Sequence, residues 1–67
     1  MTNTERHERD VREELHNICL NYPLFPGKTI AHSTARECVD RGWAERNRQG
    51  DFLPTALGLA ENKKWEG

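Results

Sequence analysis

The sequence has little of what several function classes require. It contains two cysteines, Cys19 and Cys38, too few for the disulfide framework of a small secreted protein, and both are expected as reduced thiols. No stretch approaches the ~20 apolar residues of a membrane-spanning helix. The N-terminal segment is charged throughout and lacks the apolar run of a secretory signal. A cytoplasmic chain with no membrane partner is the expectation. The net charge is only −1. A dedicated sequence-independent nucleic-acid binder gains its affinity by neutralising phosphates and is strongly basic, so that class is set aside, although a local basic patch is not. No phosphate-cradling glycine loop is present. Ser33 adjoins His32, but adjacent residues on a helix diverge and no acid is placed to orient the histidine. The chain is read as having no catalytic residues and no cofactor, and not as an enzyme.

What is present suffices for one small domain spanning residues 1–67. A chain of this length buries about 60% of its unfolded surface, and its large apolar groups are few enough that most are needed in the core. Thr2 and Glu5 have capping-box spacing. Val11, Leu15, Ile18, Cys19 and Tyr22 then recur on one helical face. Glu5/Arg9, Glu8/Arg12 and Arg9/Glu13 are spaced as solvent-side ion pairs, each contributing ~0.2–0.5 kcal/mol. This predicts a first helix from about Thr4 to Asn21, stopped by Pro23. Pro23, Pro26 and Gly27 force a loop, from which Leu24 and Phe25 are expected to fold back onto the core.

From Thr29 to Gly42 the pattern is helical again. Ile30, Ala31, Thr34, Ala35, Cys38 and Val39 share one side. Gly42 is placed as the stop. A second capping-box spacing, Thr34 to Glu37, allows a short turn near Thr29–His32 followed by a helix over Ser33–Arg41. Trp43–Arg46 and Phe52–Pro54 read as two short strands around a turn at Asn47–Asp51, with Pro54 confined to an edge or end. Thr55 is a suitable N-cap for a last helix, with Leu57, Ala60 and the Lys64 stem on its buried side. Trp43 is expected in the core. The fold class is α+β: two N-terminal helices, a two-stranded β-hairpin and a C-terminal helix.

"ECVDRGWAERNRQGDFLPTALGLAE" resembles the end of a winged helix-turn-helix domain. The matching positions are Arg41-Gly42-Trp43, Gly50-Asp51-Phe52 and Thr55-Ala56-Leu57-Gly58, and the likeness covers roughly residues 29–61. The chain also resembles small phage- and prophage-encoded proteins of this size that share the helix–hairpin–helix ending. Between Pro26 and Gly42 there is little room for two full helices, so the helix that precedes the recognition helix in that family is reduced to a single turn or missing.

The resemblance implies a DNA-binding regulator of transcription or recombination, of phage or bacterial origin, acting on double-stranded DNA and possible as a homodimer. The recognition helix would present His32, Ser33, Glu37, Arg36, Asp40 and Arg41. Arg36 has the fork that reads guanine. Arg46 and Arg48 on the wing and Lys28 in the loop would reach phosphates or a minor groove. Glu37 and Asp40 repel phosphates, and an ordinary solvated helix face accounts equally for this composition. The second reading is a modulator that binds a host regulatory protein such as a component of the transcription machinery. The five-residue hairpin turn is longer than the two residues a hairpin needs, which suggests that it projects Arg46 and Arg48.

His16, Cys19, His32 and Cys38 follow the spacing His-x2-Cys-x12-His-x5-Cys, within zinc-finger range with the ligand types permuted. His32 and Cys38 are six apart and diverge on a continuous helix, and both cysteines fit the apolar stripes, where a thiol is a common core residue. No metal is expected. Elemental analysis of protein purified without added metal should find no stoichiometric zinc; one equivalent, lost on His16→Ala, would reverse that expectation.

Overall fold

Residues 2–66 are described by a computed structural model. The first helix, α1, spans Asn3–Leu20, and the Thr2 hydroxyl accepts from the Glu5 amide at 3.1 Å. A cap of this kind contributes ~1 kcal/mol. Val11, Leu15 and Ile18 are wholly buried, as the stripe requires. Tyr22 lies beyond the helix end and is 56% exposed. Of the expected ion pairs Arg9–Glu13 forms at 3.3 Å, whereas Glu8 reaches across to Arg41 and Arg12 to Glu61.

The loop after α1 contributes one core residue, not two. Leu24 is buried, while Phe25 points outward at 56% exposure. A single 3-10 turn at Pro26–Lys28 follows, and then the second helix, α2, over His32–Asp40. The Thr34–Glu37 capping box does not form: the N-cap is Ala31, and Thr34 lies inside the first turn with its hydroxyl 2.8 Å from the Ala31 carbonyl. Thr34, Ala35 and Cys38 face inward; Ile30 is half exposed, lying ahead of the helix rather than on it. The far end closes as the sequence requires. Gly42 has φ +79°, its amide donates to Val39, and the Trp43 amide donates to Cys38, the paired bonds of a glycine-terminated helix.

Strand β1, Ala44–Arg46, pairs antiparallel with β2, Phe52–Pro54. On the other side of β2, Leu24 and Phe52 exchange both backbone hydrogen bonds at 2.9 Å. One residue of the loop thus serves as a third strand, and β2 runs between it and β1.

The last helix, α3, spans Ala56–Glu66. Thr55 caps it, accepting from the Gly58 amide at 3.0 Å while donating to the Gly42 carbonyl. The buried side is not Leu57, Ala60 and Lys64, all of which are exposed, but Gly58 and Asn62. Gly58 decides this. A methyl group there would overlap the Trp43 carbonyl, so α3 turns its one side-chain-free position to the body and its leucines to the flanks. Gly58→Ala should therefore lower stability by about 2 kcal/mol or more, although alanine is intrinsically the better helix former by ~1 kcal/mol. Gly27→Ala, where nothing lies within 4 Å, should be near neutral. Urea unfolding of the two variants checks the contrast, and equal midpoints would refute the close approach.

Candidate nucleic-acid interface

The outward side of α2 carries His32, Ser33, Arg36 and Asp40, all exposed. His32, Arg36 and Asp40 stand four residues apart and form one stripe. Across from them the hairpin contributes Arg46. Together with Val39 and Phe52 these residues line a cleft of about 230 Å³ between α2 and the hairpin.

A buried carboxylate sets the orientation of α2. Glu14, at 0% exposure, lies on the apolar side of α1. Its Oε1 accepts from the Ile30 amide at 2.9 Å and lies 3.1 Å from the Thr34 hydroxyl, and its Oε2 accepts from the Asn17 amide group at 3.2 Å. Ala31 has no side-chain oxygen to cap α2, and Glu14, seventeen positions earlier, instead ties the segment just ahead of the helix to α1 through the Ile30 amide. A buried carboxyl group is tolerable only with such partners. Glu14 sits within the Val11–Ile18 stripe, and that placement was the available signal for it.

The sequence-derived basic residues divide into distinct groups. Arg41 is taken up internally: it donates to both carboxylate oxygens of Glu8 at 2.8 and 2.6 Å and to Glu37 at 2.9 Å, and its guanidinium lies 5.0 Å from the Trp43 ring centre. Arg46 is partly committed, with Nε donating to the Gly50 carbonyl at 3.0 Å and the guanidinium 4.8 Å over the Phe52 ring. It lies along its own hairpin while lining the cleft. Arg48 stands exposed in the turn. Lys28 borders a separate depression with Asn17, Asn21, Pro23, Leu24 and Phe25. The structure therefore brings His32, Arg36 and Arg46 to one cleft, and does not bring Arg41 or Lys28 there.

The turn's extra length has a local cause. Asn47 Oδ1 accepts from the amides of Gln49 and Asp51, both at 2.9 Å, and Gly50 has φ +83°. The asparagine side chain adds to the turn's own backbone bonds, Asn47 to Asp51 and Gly50 to Asn47, both at 3.0 Å.

The four residues with zinc-like spacing have other contacts. His16 Nδ1 lies 3.3 Å from Asn62 Oδ1 and its ring is tilted against Trp65 at 5.9 Å. Cys38 is buried with Sγ 3.5 Å from the Val11 carbonyl, and burial pushes its thiol pKa up to about 12. Cys19 is half-buried, His32 lines the cleft, and neither cysteine is disulfide-bonded. Among the described residues no three His, Cys, Asp or Glu side chains come together at metal-binding range, and no helix is long and apolar enough to cross a membrane.

Comparison with known protein families, with curated proteins and with solved structures returned no match.

The Glu8–Arg41 bridge gives the fold a defined acid response. The hydrogen bonds from Arg41 hold the Glu8 carboxyl below its ordinary 4.5. A depressed folded-state pKa contributes stability above the unfolded value that is lost as pH falls through the folded one. Glu8→Gln should melt below the parent chain at pH 7, and the gap should close as pH falls below about 4. A gap that persists unchanged at pH 2.5 would show that the pair is not its source.

Proposed function

We propose that the chain is a small DNA-binding regulatory domain of winged helix-turn-helix type, from a phage or bacterium, acting in the cytoplasm without catalysis. In this reading α2 enters the major groove and the hairpin is the wing. The single observation that carries it is the grouping of His32 and Arg36 on the outward side of α2 with Arg46 across the cleft and Arg48 in the hairpin turn. The element order, with Leu24 in the place of a first strand beside β2, supports the same reading. The helix that would precede the recognition helix is a single 3-10 turn. In compensation, Glu14 of α1 fixes the approach to α2.

The contact set is small. If Arg46 and Arg48 each neutralise one phosphate, log affinity falls with log salt at a slope of about −2. A second copy would double the reading surface, which makes a homodimer the useful DNA-bound form. The alternative partner is a host regulatory protein. It is favoured by the carboxylate of Asp40 on α2 and by the exposed Tyr22 and Phe25 beside the loop. Recovery of partners from bacterial lysate with and without nuclease separates the two.

Fluorescence anisotropy with duplex DNA over a salt series tests the first reading. Arg36→Ala and Arg48→Ala should melt like the parent, since exposed charges contribute ~0–1 kcal/mol, and should each weaken binding, with the salt slope reduced by about one in Arg48→Ala. Arg46→Ala should also melt lower, because it removes the guanidinium from Phe52. Undiminished DNA affinity in both Arg36→Ala and Arg48→Ala would end this assignment.

A further inference from the structure

Asp40 is the residue on α2 that a phosphate-binding surface has no use for. It is the last residue of the helix, where a carboxylate opposes the negative end of the helix dipole, so it does not serve folding. It is exposed and lines the same cleft as Arg36, one turn away. The neighbouring pair at equal spacing behaves differently: Glu37 and Arg41 close a bridge at 2.9 Å. Arg36 and Asp40 form no such bridge among the described residues, consistent with the less favourable order of base before acid along a helix. A donor fork and a bare acceptor are thus held open side by side.

Resting on the DNA-binding reading above, we propose that Arg36 and Asp40 together select a G·C step in the major groove. Arg36 donates two N–H groups to N7 and O6 of guanine, and Asp40 accepts one from the N4 amino group of cytosine. The chemistry singles out cytosine. Guanine and thymine offer a carboxylate only acceptors, and adenine places its N7 acceptor beside its amino group. Residues four apart are about 6 Å apart along a helix, and base pairs about 3.4 Å apart, so the long Arg36 and short Asp40 side chains reach neighbouring pairs. Away from such a step Asp40 is a charge of the wrong sign near phosphates. It suppresses indiscriminate binding, which specificity by repulsion requires, and the chain's net charge of −1 has the same effect.

The test is selection of bound duplexes from a random-sequence pool by the full chain and by Asp40→Asn, with melting curves of both. The parent pool should be enriched in a G·C step, with cytosine at the Asp40 position favoured about fivefold or more over other bases. Asp40→Asn should melt at or above the parent, shift that position toward adenine, whose N6 and N7 suit an amide, and bind the unselected pool several-fold tighter. Identical preferences in the two pools, or a parent motif without a G·C step, would overturn the Arg36–Asp40 assignment while leaving DNA binding intact. Recovery of no duplex at low salt would overturn both.

Discussion

The position of Trp43 is the constraint on which the rest of the structure depends. The residue is 7% exposed, and the guanidinium groups of Arg12 from α1 and Arg41 from the end of α2 lie over its ring, at 4.7 and 5.0 Å from the centre. Its amide donates to Cys38 in α2, and its carbonyl accepts from Thr55 at 3.0 Å and packs against Gly58 in α3. All three helices and the start of the hairpin therefore meet on one residue. Each cation–ring contact contributes ~0.5–2 kcal/mol depending on desolvation. Both arginines are tied further, Arg12 to Glu61 and Arg41 to Glu8 and Glu37, so the ring is held by side chains that are themselves held. A 67-residue chain with a thin core uses polar chemistry around one large aromatic where a larger domain would use more apolar volume.

This arrangement also settles which charges remain for a partner. Arg12 and Arg41 belong to the Trp43 assembly, and Glu8, Glu37 and Glu61 are their counterions. Arg36, Arg48, His32 and Asp40 have no part in it and remain on the surface. Composition alone shows a near balance of acids and bases. The fold sorts that balance into an internal network and an open stripe, and the open stripe is where a functional reading has to start.

Glu14 and Trp43 fix α2 from opposite ends. The carboxylate holds the approach at Ile30 and Thr34, and the tryptophan follows the exit at Gly42. A nine-residue helix on its own is too short to be stable in water. Tertiary contacts at both ends therefore hold it in place.

Local chemistry made much of the fold legible in the sequence. The Val11–Leu15–Ile18 spacing, the Thr2 cap, the Gly42 stop, the Asn47–Gly50 turn and the Thr55 cap each act within a few residues, so the element order follows from neighbours along the chain. The structure departs from the local pattern where distant segments compete for the same space. Leu57 gives way to Gly58 because α3 meets the Trp43 backbone, and Phe25 turns outward because Leu24 takes the strand position beside Phe52. The site divides in the same way. Residue type and helical spacing nominated His32, Ser33 and Arg36, and their exposure follows from period alone. That Arg41 is consumed by Glu8, thirty-three residues away, that Arg46 lies against Phe52, and that Asp40 stays open beside Arg36 were decided only by tertiary structure. An ion pair or ring contact depends on which helices cross, and no local pattern along the chain encodes that.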